Sequence, residues 1–149
     1  MTVLFVCKSV QQCLENLRQR DINAHGRAFA LLRELKLSKG LLEDFCIHGD
    51  LDINEFTFGN TTRLIVFRDN GNRNIWRLKL WTTDANGNER LEPFRFIYGI
   101  FPAGQHRREQ EVAILAIPYR SKIDEERSYD YQLDDPLSER IQNDYDNQL

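Results

Sequence analysis

The spacing of hydrophobic residues divides the chain into two parts. In the first part, the apolar stretch TVLFVC is typical of a β-strand, and hydrophobic residues then recur every three or four positions, as in an amphipathic helix. The recurring positions are Val10, Cys13, Leu14 and Leu17, followed by Ala28, Leu31, Leu32 and Leu35. The pattern predicts a strand, a helix capped by Ser9 and a second helix over about 24–37, with Gly40 as the stop signal that follows it. The next stretch, LLEDFCIHGDLDINEF, is predicted to be a short helical turn and a loop.

From Thr61 onward, hydrophobic and polar residues alternate, and a period of two is typical of β-strands. The alternating stretches are TRLIVFRD, NIWRLKLW and FRFIYGIF, followed by the mostly apolar EVAILAIPY. Asn70-Gly71 and Asn86-Gly87 separate neighbouring stretches, and Asn-Gly is the pair that two-residue hairpin turns favour. The second part therefore predicts a meander of three or four antiparallel strands.

Together these elements predict one α+β domain over residues 1–131, in which an αα-hairpin packs on a twisted antiparallel or mixed sheet of three to five strands. The chain has 149 residues, which is enough for a single hydrophobic core. Residues 132–149 are predicted to form an acidic tail or a short helix, since Asp135 and Pro136 suit an N-cap and a first helical position.

The composition is that of an ordinary globular protein, with 41% hydrophobic and 29% charged residues. No apolar run has the length of a membrane span, and the N-terminus lacks the basic region and cleavage site of a signal peptide. Three cysteines without CxxC spacing favour reduced thiols, so we expect a cytoplasmic protein. The three histidines lack metal-ligand spacing and no phosphate-binding glycine motif is present, so we expect no metal and no cofactor.

Basic residues occur at similar places in three consecutive predicted strands. In IWRLKLW, Arg77 and Lys79 share one face, whereas the other face is apolar and is predicted to be the core side. Arg95 lies in the next strand, and Arg120 ends the strand after it. Basic side chains on one face of a sheet can form a site for a phosphate group. The alternative is that they are solvated and discourage pairing at a sheet edge.

Arg95 is the most unusual of these residues, because it interrupts the apolar stretch FRFIYGIF. A two-residue turn at Asn86-Gly87 would pair Lys79 with Phe94 and would direct Arg95 into the core. A one-residue bulge near Pro93 would instead pair Lys79 with Arg95 on the open face, and proline is tolerated at bulges. The position of Arg95 is therefore explained if the hairpin contains a bulge and the open face is functional.

The net charge of −3 argues against nucleic-acid binding, but the charge is unevenly distributed. Residues 75–122 carry eight basic and five acidic side chains, and residues 123–149 carry two basic and nine acidic ones. The contrast suggests that the tail folds back and inhibits the basic face, with a solvated tail as the alternative. The proposed contacts join Asp134, Asp135, Asp144 and Asp146 to Arg77, Lys79 or Arg120.

The strings WRLKLW, FRFIYGIF and VAILAIPYRS, which follow an αα-hairpin, resemble three consecutive strands of the RelE/ParE superfamily of bacterial toxins. The resemblance implies a toxin of a toxin–antitoxin system, with a cognate antitoxin, RNA and the ribosome as partners and no membrane association. Ribosome-dependent RelE-type enzymes are endoribonucleases that cut mRNA in the ribosomal A site and use the 2′-hydroxyl as nucleophile.

The resemblance also implies roles for individual residues. Arg77 and Lys79 would contact the RNA backbone, with Lys79 also near the 2′-hydroxyl. Arg95 would stabilise the charged phosphorane, and Arg120 would neutralise the phosphate or the leaving group. Either Tyr129 or Tyr131 would stack on a base or assist proton transfer.

Two further candidates for RNA binding, Arg107 and Arg108, lie in the charged loop GQHRREQE, for which a solvated loop is the alternative. The chain departs from the family pattern in several ways: Arg77 replaces a lysine, an acidic insertion KIDEER follows Arg120, and the net charge is negative. These departures favour a second hypothesis, a non-catalytic binding protein of the same fold, which includes ParE-type inhibitors of gyrase. A third hypothesis is an unrelated small α+β domain without enzymatic activity.

Overall fold

Twelve helices and strands make up the part of the chain that the computed structural model describes, namely residues 2–47, 53–56, 59–83, 85–104, 106–120, 133 and 135–149. For residues 39, 46, 47 and 53–56 the description covers the backbone alone. The elements are β1 (Thr2–Val6), α1 (Val10–Arg20), α2 (Ile22–Leu37), α3 (Lys39–Ile47), β2 (Ile53–Phe56), β3 (Gly59–Arg63), α4 (Ile65–Asp69), β4 (Ile75–Thr83), β5 (Glu89–Leu91), β6 (Phe96–Phe101), β7 (Gln110–Ala116) and α5 (Pro136–Asn147).

A seven-stranded mixed sheet forms the centre of this small α+β domain. Its strand order is β1-β7-β6-β4-β3-β2, and β5 pairs with β4 beside this path. β1 runs parallel to β7, whereas the other neighbours are antiparallel. The α+β class and the mixed sheet are as predicted, but the sheet exceeds the expected three to five strands because β2 and β5 extend it.

Helices cover both faces of the sheet. Phe45 of α3 packs against Tyr98, with ring centroids 5.2 Å apart, and Tyr145 of α5 stacks on Phe101 at 4.6 Å. Tyr98 and Phe101 are three positions apart on β6, so their side chains lie on opposite faces. All six residues of β6 are buried, as expected for a strand covered on both sides. Among the described helices, none has the length and apolarity needed to cross a membrane.

The predicted helical hairpin is present as α1 and α2, which pack against each other and are separated by Asp21 alone. Asp21 caps α2, because its Oδ1 accepts a hydrogen bond from the Ala24 backbone N at 3.0 Å. The side chains buried by the two helices are Val10, Cys13 and Leu17, and Ala24, Ala28, Leu32 and Leu35. The predicted end of the second helix at about Leu37 is confirmed, but Gly40 is not its stop signal, since Gly40 lies within α3.

The segment between the hairpin and β4 differs most from the sequence prediction. The predicted turn and loop contain a nine-residue helix, α3, and the strand β2. The predicted strand TRLIVFRD ends at Arg63, and its second half is the short helix α4, which buries Phe67. A continuous run of apolar residues such as LIVF fits a helix turn and a strand equally well, so its period could not decide between them.

The two Asn-Gly pairs lie in turns, but neither turn has two residues. Residues 64–74, which include α4, connect β3 to β4, with Gly71 and Asn72 at φ of 91° and 53°. Residues 84–88 connect β4 to β5, with Gly87 at φ of 80°. Glycine and asparagine adopt these positive φ values at low cost, so the signal located the turns correctly but not their length.

The C-terminal segment is part of the core. α5 begins at Pro136 after Asp135, as predicted, and buries Ser138, Ile141 and Tyr145. The Tyr145 hydroxyl accepts a hydrogen bond from the backbone N of Asn74 at 3.1 Å, which ties α5 to the start of β4.

The acidic residues of α5 do not make the contacts predicted for them. Asp146 pairs with Arg73, with 2.9 Å between Oδ2 and Nη2, and Asp144 accepts a hydrogen bond from Ser9 Oγ at 2.7 Å. Both partners lie at the ends of neighbouring elements and not among the basic residues of the strands. Asp134 lies outside the described residues, and Asp135 occupies the N-cap position.

Candidate functional site

A two-residue bulge between β5 and β6 shapes the candidate site. Leu78 pairs with Phe96, and the backbone N of Glu92 donates to Leu80 O at 2.8 Å. Between these contacts β4 has the single residue Lys79, while the other strand has residues 93–95. We call these three residues the 93–95 bulge. The sequence predicted a bulge at this place but with one extra residue instead of two.

Arg95 is almost fully buried, at 1% exposure, and its guanidinium bonds to the backbone of the bulge. Nη1 donates to the carbonyl oxygens of Glu92 at 2.7 Å and Phe94 at 2.9 Å. A bulge interrupts strand pairing locally, and buried carbonyls require hydrogen-bond partners. Arg95 therefore holds the bulge closed, which is a structural reason for an arginine in an apolar stretch.

Arg120 lies beside the bulge on the neighbouring chain segment and is also buried, at 6% exposure. Its backbone N donates to Pro93 O at 2.7 Å, and Arg95 N donates to Pro118 O at 3.1 Å. Phe94 and Tyr119 form the bridge between these two contacts. Because alternate residues share a face, this pairing places Arg95 and Arg120 on the same side of the sheet.

Arg77 and Lys79 lie on that same side. Arg77 pairs with Ile97, which is two positions from Arg95, and Lys79 follows Arg77 by two positions. Arg77 Nη2 also donates to Thr62 Oγ1 at 3.3 Å on the other neighbouring strand, β3.

Lys79 is the described lysine whose pKa departs most from its usual value. Its side chain is half-buried, and burial together with the charges of Arg77 and Arg95 lowers its pKa from the usual 10.5 to about 8. At this pKa about a tenth of the Lys79 side chains are neutral at pH 7. We call Arg77, Lys79 and Arg95 the basic cluster. It combines two permanent positive charges with an amine that can accept a proton near neutral pH.

The neighbouring strand fixes the Lys79 backbone. Gly59 of β3 lies so close to β4 that a Cβ at this position would overlap the Lys79 carbonyl oxygen and approach Leu80 Cα at 3.3 Å. Only glycine allows this close approach of the two backbones. Lys79 is thus held between β3 on one side and the 93–95 bulge on the other.

Glu92 is a buried acidic residue that the sequence analysis missed. Its carboxylate accepts hydrogen bonds from Arg27 Nε at 2.7 and 2.9 Å and from Thr82 Oγ1 at 3.0 Å. Arg27 belongs to α2, so this ion pair joins the helical hairpin to the start of the bulge on the sheet face opposite Lys79. No sequence pattern connects Arg27 with Glu92, which are 65 positions apart.

The structure does not bring Arg107 and Arg108 to the basic cluster. They lie near Phe101, at the opposite end of β6 from Arg95, which corresponds to about 20 Å along the strand. Arg107 pairs with Glu111 at 3.2 Å, lies over the Phe101 ring and donates to the Gln148 carbonyl oxygen. Arg108 is exposed.

Tyr129 and Tyr131, the two candidate tyrosines, lie outside the described residues. Within the described ranges, no group of three or more histidine, cysteine, aspartate or glutamate side chains has an arrangement suited to a metal ion. Comparison of the chain with protein-family models, with curated proteins and with solved structures gave no match in any of the three.

Proposed function

We propose that this protein is a RelE-like endoribonuclease that cuts ribosome-bound mRNA by attack of the 2′-hydroxyl. The observation that carries the proposal is the basic cluster, in which two arginines surround a lysine with a pKa of about 8. RNA cleavage of this kind needs a group that accepts the hydroxyl proton and cations that stabilise the charge on phosphorus. The basic cluster offers candidates for both roles on one face of the sheet, which supports the proposal.

The strand order also supports this proposal. The resemblance to the RelE/ParE superfamily implies that the first strand lies beside a C-terminal strand. It also implies that the three strands that carry the basic residues are neighbours. Here β1 lies beside β7, and β7, β6 and β4 are consecutive in the sheet. The helices α3 and α4, the strands β2, β3 and β5, and the core helix α5 are additions to that arrangement.

In the proposed reaction, the neutral amine of Lys79 takes the proton of the 2′-hydroxyl. The resulting oxyanion attacks the adjacent phosphorus, the bond to the 5′-oxygen breaks, and a 2′,3′-cyclic phosphate forms. Arg77 and Arg95 stabilise the extra negative charge of the phosphorane, and Arg120 neutralises the leaving group. The leaving oxygen receives a proton, for which Tyr129 or Tyr131 is the candidate donor.

The proposed partners follow from this activity. The substrate is mRNA on the ribosome, and a cognate antitoxin would cover the basic cluster to block it. Arg107 and Arg108 would contact RNA away from the reacting phosphate, because they lie at the other end of β6. The proposed location is the cytoplasm, where the ribosomes are.

A second candidate function is non-catalytic binding on the same fold, which includes inhibition of gyrase. The burial of Arg95 and Arg120 favours it, as does the use of the Arg95 guanidinium to bond the bulge backbone. In that case the arginines stabilise the sheet, and Lys79 alone cannot perform the reaction.

The decisive experiment is to incubate the purified protein with programmed ribosomes and map cleavage by primer extension at pH 6 to 9. We expect the cleavage rate to rise with pH and to level off above about 8, because only neutral Lys79 can act as the base. Lys79→Met should slow cleavage roughly 100-fold or more. Arg33→Ala is the matched control, since it removes an exposed cation on α2, on the other side of the sheet.

The outcomes separate the candidates. Cleavage that Lys79→Met leaves unchanged contradicts the role of Lys79. Binding of RNA or ribosomes without cleavage at any pH supports the second candidate. The absence of both binding and cleavage rejects the RNA-directed proposal.

A further inference from the structure

Asn60 of β3 is the neighbour of Lys79 on the strand opposite the 93–95 bulge. The two residues are directly paired in the antiparallel register. Directly paired residues point to the same face, with Cβ atoms about 4.5–5.5 Å apart. The close approach of Gly59 to the Lys79 backbone fixes this pairing, so the Asn60 and Lys79 side chains leave neighbouring positions on the same sheet face.

The side-chain oxygen of Asn60 lacks a hydrogen-bond partner in the described structure, although that atom is buried. A buried amide oxygen without a partner is unfavourable and calls for an explanation. A hydrogen-bond donor that comes within reach of this atom would satisfy it. A protonated lysine amine supplies three donor N–H groups, and a neutral amine supplies two together with a lone pair that can accept a proton.

Among the described residues, the charged groups that face Lys79 disfavour its protonation. Arg77 on its own strand and Arg95 on the bulge are positively charged, and Arg120 lies on the same sheet face beside the bulge. On β3, the residues that face the basic cluster are the neutral Asn60 and Thr62, and Thr62 accepts a hydrogen bond from Arg77. Asn60 is therefore the neutral acceptor on β3 that is placed to stabilise a protonated Lys79.

We propose that Asn60 is a positioning residue for Lys79: its Oδ1 accepts a hydrogen bond from the ammonium that forms when Lys79 takes the hydroxyl proton. This inference rests on the proposed function for its role in catalysis. One proton moves from the 2′-hydroxyl to Nζ, and the new N–H group turns to Asn60. Without that acceptor, repulsion from the two neighbouring guanidinium groups would destabilise the ammonium, and Lys79 would be a weaker base.

The test uses the full chain with isotopically labelled lysine and follows the titration of Lys79 by NMR. Asn60→Leu keeps the size of the side chain but removes the acceptor, so the acid dissociation constant of Lys79 should rise about tenfold. Asn60→Asp places a carboxylate in the same position, so that constant should fall by at least tenfold. Thr61→Val is the control, because Thr61 is the next residue of β3 and is buried on the other face.

A second measurement on the same variants is the pH profile of cleavage on ribosomes, whose midpoint should move with the NMR titration. If Lys79 titrates at the same pH in wild type, Asn60→Leu and Asn60→Asp, the inference is overturned. If the titrations move as expected but wild type does not cleave RNA at any pH, the coupling of Asn60 to Lys79 stands and the proposed reaction fails. If cleavage occurs but its pH midpoint is the same in wild type and in both variants, Asn60 has no role in positioning the base.

Discussion

The guanidinium of Arg95 closes a gap in the backbone pairing of the sheet. It supplies donors to two carbonyl oxygens of a bulge that is buried beneath neighbouring segments. Removing it leaves these acceptors without a partner, and each unsatisfied buried group costs about 1–3 kcal/mol. At this position, a structural demand of the sheet accounts for a buried arginine.

We therefore expect Arg95→Met to lower the free energy of unfolding by about 2–5 kcal/mol, measured by urea denaturation. Arg33→Met is the control, because Arg33 is an exposed arginine on α2. Equal denaturation midpoints for Arg95→Met and wild type would show that the bulge does not depend on this residue. A loss of cleavage in Arg95→Met is interpretable only alongside this stability measurement.

For Lys79 we expect the opposite effect on stability, because removing its charge should stabilise the fold. Its pKa is about 8 in the folded protein and close to 10.5 in the unfolded chain, so the unfolded state binds protons more tightly. Below pH 8 the lysine is charged in both states, and its unfavourable environment weakens the fold. Between pH 8 and 10.5 the folded protein loses this proton first, so the contribution of Lys79 to stability improves as pH rises.

Lys79→Met, which is never charged, should consequently be more stable than wild type below pH 8. This advantage should shrink between pH 8 and 10.5 and disappear above that range, as measured by urea denaturation at each pH. Comparing the two proteins at the same pH cancels the titration of all other groups. An advantage that stays constant from pH 7 to 11 would mean that packing, and not charge, separates the variants.

At the scale of elements, α5 is the segment whose acidic composition differs most from its role in the core. Its acidic residues suggested a tail, but Ile141 and Tyr145 are buried against the sheet, and Asp144 and Asp146 bind Ser9 and Arg73. Burying a large apolar side chain contributes about 1.5–3 kcal/mol. Two such side chains amount to a large share of the 5–15 kcal/mol by which a domain is usually stable.

A chain that ends at residue 135 should therefore lose most of its stability or fail to unfold cooperatively, as followed by circular dichroism on heating. The control is Glu139→Gln, which removes an exposed acidic group of α5 and should leave the melting temperature nearly unchanged. A truncated chain that melts at the wild-type temperature would show that α5 is a dispensable tail.

The elements that could be predicted from the sequence are those with a clear local signal. α1 and α2 followed from their helical spacing, α5 from Asp135 and Pro136, and the strand that carries Arg77 and Lys79 from its alternation. α4 could not be predicted, because a run of four apolar residues has no period. For α3 and β2 no pattern of sufficient length was available.

The site was predictable only in part, for a related reason. Arg77 and Lys79 share a face whatever the neighbouring strands do, since both lie on β4. The face of Arg95 depends on the number of extra residues in the bulge, which is set by the tertiary contacts of residues 93–95. The pairing of Glu92 with Arg27 joins distant parts of the chain and leaves no trace in local sequence.

At the scale of the whole molecule, the described charged groups differ between the two faces of the sheet: one face holds a neutral ion pair and the other holds a group of cations. The buried Glu92 binds Arg27 on the side of the helical hairpin, whereas the basic cluster lies on the side of α5. A protein with a net charge of −3 can in this way present a positive field locally. Because such a field is screened by salt, RNA affinity should be compared at a fixed and low ionic strength.

The pairing of the first strand with the last one constrains how the chain can fold during synthesis. Thr2 and Gln110 are partners although 108 positions separate them, so β1 leaves the ribosome long before its only described strand neighbour. The hairpin of α1 and α2 can form early from local contacts, but the sheet cannot close until β7 has emerged. Non-local pairing of this kind is slow. An apolar strand that waits for its partner is prone to aggregation, so chaperone binding to β1 would protect the nascent chain.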